Sequence, residues 1–406
     1  MSNTLVTCTV VAKETLAILQ NMLGFAKNVN RDWETEYTSN QSRGYSPGST
    51  IKIKRPPRYT YRAGRVSVPQ PTVETTTDLV LSQGGTDLGF TSFERTLSVQ
   101  QLEQKMQAAV AAVVNEIDRQ GLELARTSTF NTIGTAGTLP TTQALALQTI
   151  TQANQRLDEM GAPRDKQRAF CLNPAMNASL VQGLAGLFNS SSTVSKQYGS
   201  GMMVDSLGAS FAMDQNVAIH TNGTQAVAGV NINGANQTGS TITTVALTGG
   251  GTSLTRGTVI TLPGVFAVNP QSRQSTSTLA QFVVTADVAS GATSIPISPA
   301  IVTSGQFQNV TASPTTGQPF LVVGVVSGSY ATNIAYHKDA FTLAMVPMYA
   351  PPSGKGVIAV SQQSDDGFTV KVTEYYDPIN DTPNMRLDVL FGWAATYPEL
   401  ACKIIA

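Results

Sequence analysis

The chain has 406 residues with 26 Lys+Arg against 26 Asp+Glu, and only 13% of its residues are charged, well under the usual quarter. That length holds one large domain or two to three ordinary ones, and zero formal charge leaves no whole-protein field to draw in polynucleotide or acidic lipid. Three scattered cysteines (Cys8, Cys171, Cys402) and two histidines argue against both a disulfide scaffold and a zinc cluster.

The opening residues lack the basic and apolar regions of a secretory signal, and no apolar run approaches the roughly 20 residues that span a bilayer. The chain is therefore expected to be cytosolic when made. Residues 13–29 place Leu16, Leu19, Leu23 and Ala26 on one helical face, which predicts a short amphipathic arm. Next comes RGYSPGSTIKIKRPPRYTYRAGR, residues 43–65, with seven basic side chains and no acid. Ile51-Lys52-Ile53-Lys54 and Tyr59-Thr60-Tyr61 alternate with period two around Pro56-Pro57, which predicts an extended two-stranded hairpin pairing these two runs. Such a hairpin is marginal alone in water and must lean on something.

From 98 to 127, Leu102, Met106, Val110, Val113, Ile117 and Leu124 recur at spacings of three, four and seven, the mark of a long helix. A second helix is predicted over 141–160, capped by Thr141 and stopped by Gly161-Ala-Pro163. RAFCLNPAMNASL (168–180) predicts a buried strand, an Asn173 cap, Pro174 at the first helical position and a helix to about Phe188. Strand–helix alternation here points to a mixed layer of helices and sheet. Between 222 and 331 only Arg256, Arg273 and Asp287 are charged, and short β-type runs between Gly/Pro turns predict a small barrel or sandwich. The last stretch predicts strands at GFTVKVTEYY and in MRLDVLFGWAATYPELACKII, with a turn at Pro398.

Nothing in these residues assembles a catalytic site. There is no GxSxG elbow, and His220 and His337 stand in strand-like segments without a motif around them. GGTDLGF (84–90) and YGSGMM (198–203) are Gly-rich but lack phosphate-loop context, and are expected to be turns. Asp365, Asp366, Glu374, Asp377, Asp381 and Asp388 stand against Lys371 and Arg386. The spacing fits turns with a surplus negative field, matching neither a calcium loop nor a glycosidase pair. For the basic stretch, a single-strand nucleic-acid platform and a solvated loop are weighed against a protein–protein contact. The contact is preferred, because a nucleic-acid domain normally carries its basic face over the whole fold.

The order of parts resembles the major coat (capsid) proteins of tailed double-stranded DNA bacteriophages with the Hong Kong 97-type fold. The resemblance is to the branch with an inserted β-barrel domain, typified by the Salmonella short-tailed phage coat protein. It is carried by RAFCLNPAMNASL, MMVDSLGASFAMDQNVAIH (202–220), NIAYHKDAFTLAMVPM (333–348) and RLDVLFGWAATYPELACKI (386–404). It implies an α+β fold divided as an N-terminal arm (1–37), an extended basic hairpin loop (38–80) and a peripheral domain with the spine helix (81–134). The axial domain follows in two parts (135–221 and 332–350) around an inserted all-β domain (222–331), and peripheral strands and the C-terminus close the chain (351–406).

What the resemblance implies is assembly without catalysis, cofactor or metal. Copies form hexamers and pentamers of an icosahedral head around packaged double-stranded DNA, which is touched only weakly. Assembly takes place in the host bacterial cytoplasm, with scaffolding, portal and decoration proteins as further partners and no membrane. The candidate contact sets Arg43, Lys52, Lys54, Arg55, Arg58, Arg62 and Arg65 of one copy against Asp365, Asp366, Glu374, Asp377 and Asp381 of a neighbour. In the family the insert stabilises the subunit and adds charged contacts; three charges in 222–331 make the charged contacts doubtful here. The alternative reading is a tail-tube or adhesin-type virion subunit with a β-rich binding domain.

Overall fold

A computed structural model describes residues 23–32, 48–61, 64–67, 69–89, 102–184, 203, 205–349, 357–365, 368–380 and 382–406. The strands and helices run in chain order as β1 (Thr50–Arg55), β2 (Thr75–Val80), β3 (Ser82–Gly89), α1 (Leu102–Ser128), β4 (Thr132–Gly134), α2 (Gln143–Glu159), β5 (Arg168–Leu172) and α3 (Pro174–Leu184). There follow β6 (Ala209–Met213), β7 (Ile219–Thr221), β8 (Ala228–Asn231), β9 (Gly239–Thr243), β10 (Thr252–Leu254), β11 (Val259–Val268), β12 (Ser275–Val284), β13 (Val288–Ala289) and β14 (Ser294–Ile301). The chain ends with β15 (Pro319–Val322), β16 (Ser329–His337), β17 (Thr342–Met345), β18 (Val357–Asp365), β19 (Phe368–Asp377), β20 (Thr382–Ala394) and β21 (Ala401–Ile405). The mixture is α+β, as the sequence predicts.

The residues fall into two compact units, Met1–Ile53 with Thr77–Gly121 and Thr342–Ala394, and Lys54–Thr76 with Leu122–Phe341 and Ala395–Ala406. In the first unit an antiparallel sheet runs β17-β20-β19-β18, with β3 also paired to β20. Asp365 stands opposite Phe368 at the end of the β18–β19 ladder. The glycine-rich 84–89 stretch, expected to be a turn, is strand β3 instead. Gly85 carries no side chain because β20 approaches so closely there: a Cβ would lie 2.2 Å from the Leu387 carbonyl oxygen.

The spine helix α1, 27 residues and about 40 Å long, ends one residue past its predicted stop; residues 98–101 of the prediction lie outside the described residues. Val110, Val113, Val114 and Ile117 are buried along it. Trp393 of β20 donates its indole N–H to the Ile117 carbonyl at 3.1 Å and stacks on Phe25, ring centroids 5.4 Å apart. The predicted helix over 13–29 is corrected for its described end, where only a 3-10 turn forms at Ala26–Asn28. The Asp118 carboxylate takes the backbone N–H groups of Gly24 and Ala26, each at 2.9 Å, and so fixes an irregular segment on the helix. Residues 13–22 lie outside the described residues.

The second unit is built around a mixed sheet, β4-β21-β16-β5-β6, with β7 also on β16. β5–β6 and β21–β4 are parallel and the others antiparallel. Helices α2 and α3 cover it, burying Ile150, Leu157, Met176 and Leu180 against Phe170, Leu172, Cys402 and Ile404. Helix α2 begins one residue later than predicted: Thr142, not Thr141, is the cap, its hydroxyl accepting from Leu145 N. Asn173 caps α3 as expected, its side-chain oxygen accepting from Met176 N at 2.8 Å. That helix is described to Leu184, and 185–188 lie outside the described residues.

Residues 228–322 form the sheet β8-β15-β11-β12-β14-β9. Asn233 N donates to Thr243 O and Val245 N to Asn231 O, so the first and last strands meet and the sheet closes into a barrel. Its interior is its own, with Ile242, Ile260, Leu262, Phe282, Ile295 and Phe320 fully buried. The final segment yields two strands in different sheets: β20 pairs with β19, β3 and β17, and β21 pairs with β16 and β4.

Candidate assembly site

The alternation Ile51-Lys52-Ile53-Lys54 produces what period two demands. Ile51 and Ile53 are buried with Leu79, Ala344, Val346 and Ala394, while Lys52 and Lys54 face solvent. The pairing predicted for this run is corrected, because β1 pairs with β2, not with residues 59–61. Pro56-Pro57 end the ladder by removing two donors. Beyond them the two arms stay side by side through side chains, with Gln70 bonded at both amide ends to Thr60 and Tyr59 OH 2.9 Å from Thr72 Oγ1. Tyr61 is 96% exposed at the far end of the described arm.

The seven basic residues divide by partner. Lys54 pairs with Glu74 at 3.0 Å on the same hairpin. Arg58 pairs with Glu399 at 3.1 Å, and Arg55 lies over the Tyr397 ring with Nη2 donating to the Ala395 carbonyl. These cations face their own subunit. Lys52 and Arg65 are exposed and form no ion pair among the described residues; Arg43 and Arg62 lie outside them.

Among the acids, Asp377 accepts from Ile379 N and from the Asn380 amide, which holds its carboxyl below the usual carboxylate range. Glu374 is half-buried on β19. Asp365 ends β18 by its backbone, and Asp366 and Asp381 lie outside the described residues. Asp388 is withdrawn from the surface surplus: it is buried, with Arg386 at 2.7 Å and Lys371 at 3.9 Å.

A second cluster of ionisable groups, unseen in the sequence, sits in the second unit where the barrel meets the mixed sheet. Arg126 near the end of α1 is paired with Glu123 and sends Nη1 to His220 Nδ1 at 2.7 Å and to the Arg256 carbonyl at 3.0 Å. Arginine cannot accept, so Nδ1 must be the acceptor and His220 the neutral Nε2–H tautomer. That N–H points at Asn222 Oδ1, 3.1 Å away, which also accepts from Tyr330 OH at 3.0 Å. Burial, with the Lys403 and Arg126 charges behind it, pushes the His220 imidazole down to about 3. Lys403 of β21 is 2% exposed, and its ammonium donates to the Gly257 carbonyl at 3.0 Å. Burial and then Arg126 push it down to about 7. The one signal in the sequence was a lysine inside the apolar run ACKII.

No group of three or more His, Cys, Asp or Glu is placed to hold a metal among the described residues, and no described helix is long and apolar enough to cross a membrane. A family model described as "P22 coat protein - gene protein 5" matches residues 2–404. The chain is therefore a major capsid protein of a tailed phage, a structural and non-enzymatic subunit of the head shell. It belongs to the P22 coat protein family.

A comparison with curated proteins finds no match. Among solved structures the chain is similar to one from Mycobacterium phage Che8, at 13% identity and TM-score 0.49, over 94% of this chain and 91% of that one. It is also similar to the capsid of Ralstonia phage GP4, at 8% identity and TM-score 0.45, over 95% and 89%. A virus-like particle from Pyrococcus furiosus matches at 9% identity and TM-score 0.41, over 97% and 98%.

Proposed function

We propose that copies of this chain close the head shell as hexamers and pentamers around packaged double-stranded DNA, with the arm at 38–80 laid on a neighbouring copy. The observation that carries the contact is the division of the basic residues. Arg55 and Arg58 are held on their own subunit, whereas Lys52 and Arg65 stand exposed without an ion pair among the described residues. Lys52, Arg65, Arg43 and Arg62 then meet the acidic surface that Glu374, Asp377 and their neighbours Asp365, Asp366 and Asp381 offer on the adjacent copy. An exposed pair contributes only about 0.2–1 kcal/mol, and such weak contacts, repeated over a shell, let misplaced subunits leave before closure.

On this reading residues 81–134 and 351–406 form the peripheral domain, 135–221 and 332–350 the axial one, and 222–331 the insert. Scaffolding, portal and decoration proteins join during assembly in the host cytoplasm. The test is the double charge reversal Lys52→Glu with Arg65→Glu. Circular dichroism should show a folded subunit, and sedimentation and electron microscopy should show no closed particles. Arg58→Glu, in contrast, should lower the melting temperature of the subunit itself. A wild-type particle yield from the double variant would remove the arm from the contact.

A further inference from the structure

The sequence holds two Asn-Gly steps, Asn222-Gly223 and Asn233-Gly234, and the fold treats them in opposite ways. An asparagine before glycine carries its own reaction. The backbone nitrogen of the glycine, with no Cβ beside it to shield it, attacks the carbonyl carbon of the asparagine side chain. What decides the outcome is whether that side chain is free to swing onto the nitrogen.

Asn222 is not free. It is 4% exposed, and its Nδ2 donates to the Val323 and Val325 carbonyls at 3.0 and 3.1 Å. Its Oδ1 accepts from His220 Nε2 and from Tyr330 OH, so both donors and both lone pairs are engaged. Turning the side chain onto Gly223 N would break four buried hydrogen bonds at once.

Asn233 is in the opposite condition. It and Gly234 are both exposed, in the turn that leads from β8 to β9. Among the described residues neither its side-chain amide nor the Gly234 N–H forms a hydrogen bond. Gly234 has φ +112°, and a Cβ there would meet only the Gln237 amide, 3.4 Å away. Gln237 donates to the Asn233 and Gly234 carbonyls at 2.9 and 3.1 Å, which holds the backbone of the turn and leaves the reacting atoms alone.

We propose that Asn233 is a site of self-modification, converting in the folded protein to aspartate and isoaspartate with solvent water as co-reactant. The Gly234 N–H gives its proton to hydroxide, and the nitrogen bonds to Asn233 Cγ. The Cγ–Nδ2 bond breaks, ammonia leaves, and a cyclic imide closes. Water then opens the imide at Cγ, giving aspartate, or at the Asn233 backbone carbonyl, giving isoaspartate. Either product adds one carboxylate to residues 222–331, whose two arginines less one aspartate give +1, and so makes that segment neutral. The isoaspartate product also adds a backbone methylene beside the Asn233 N–Thr243 O bond, 3.0 Å, that helps to close the barrel.

The test holds the folded full-length protein below its melting temperature, at pH 7 and at pH 9, in water enriched in heavy oxygen. The protein is then digested in ordinary water and mapped by mass spectrometry. The heavy-oxygen carboxyl should appear at Asn233 in at least ten times the fraction found at Asn222. Conversion should be faster at pH 9, because the attacking nitrogen must lose its proton. In urea the two sites should convert at comparable rates, which assigns the contrast to the fold. Asn233→Gln, with a longer side chain at an exposed position, should fold normally and lose most of the acidic band that accumulates on isoelectric focusing. Equal labelling of the two sites in the folded protein, conversion of Asn233 only after unfolding, the same tenfold contrast in urea, or an acidic band at wild-type intensity in Asn233→Gln would each overturn the assignment.

Discussion

Asp118 shows how one side chain substitutes for a regular element. It is 1% exposed, and its two oxygens receive the N–H groups of Gly24 and Ala26, donors that an ordinary helix would have satisfied itself. Hydrogen bonds to a charged acceptor contribute about 1.5–3 kcal/mol each. Asp118→Asn preserves the shape but supplies one acceptor where two are used, so the unfolding free energy should fall by about 2 kcal/mol, read from the urea midpoint. Three residues further along, Gly121 faces the Trp393 ring, and an added Cβ would lie 2.6 Å from Cζ2. Two effects compete in Gly121→Ala. Alanine improves helix propensity by about 1 kcal/mol, while forcing a methyl into a packed ring costs about 1–3 kcal/mol. The clash is with a rigid ring that is itself bonded to Ile117, so the variant should be less stable, and its Trp393 emission, measured in a Trp33→Phe background, should shift to the red.

At the scale of elements, the junction of β7, β21 and α1 makes stability depend on pH in two separate windows. His220 is held at about 3 in the folded chain against 6.5 when free. Between those values the unfolded chain takes up a proton that the folded one refuses, so stability is complete above about 6.5 and declines as pH falls toward 3. Lys403, about 7 folded against 10.5 free, acts in the same direction higher up: the penalty for its buried charge is full below about 7 and lifts as pH rises toward 10.5. One proton gives a slope of at most about 1.4 kcal/mol per pH unit. His220→Gln should flatten the acid limb, and the stability difference between Lys403→Met and wild type should move in favour of wild type from pH 7 to pH 10, both followed by urea unfolding at stepped pH. Beyond the lysine inside ACKII, this junction was not legible beforehand, since it joins residues 123–126, 220–222, 256–258, 330 and 403, which no local pattern links. Periodicity is local, and what it governs was legible: α1 and α2, the Asn173-Pro174 step, and the in–out alternation of Ile51 to Lys54. Partners were not. The strand opposite β1 lies some twenty residues on, past a proline break, and β3 looked like a turn although Gly85 answers to the close backbone of β20, far away in the chain. For the basic arm, composition gave no sign that Arg55 and Arg58 would be held by Tyr397 and Glu399.

The second unit, taken whole, carries a barrel let into a sheet with very little disturbance of either. Thr221 and Ser329 stand opposite each other in the β7–β16 ladder, and Asn222 N still reaches Gly328 O at 3.0 Å, so the chain leaves and returns at one point. The barrel has a closed ring of strands and a core of its own. Of its three charges, Asp287 accepts from Arg256 N, and Arg273 is bound to the Gly305 and Gln306 carbonyls, so two of them are engaged within the barrel. It is joined to the mixed sheet and its helices by neutral and half-neutral bonds: Gln281 to the Thr132 backbone, Asn269 to Glu159 O, Arg156 to Thr278, and Lys403 to Gly257 O. Phe130 packs against Val259 and Val283 at the same boundary. Replacing 222–328 by Asn-Gly should therefore close a two-residue hairpin in an unstrained register, while removing several bonds of about 0.5–1.5 kcal/mol each and uncovering Phe130. The excised protein should fold with a lower melting temperature, and fragment 222–328 should give a dispersed amide spectrum and a cooperative melt by itself. Excision also returns the Lys403 ammonium to water, so the stability change between pH 7 and pH 10 should vanish in the excised protein. Persistence of that slope would show that the lysine owes its low value to the mixed sheet and not to the barrel that covers it.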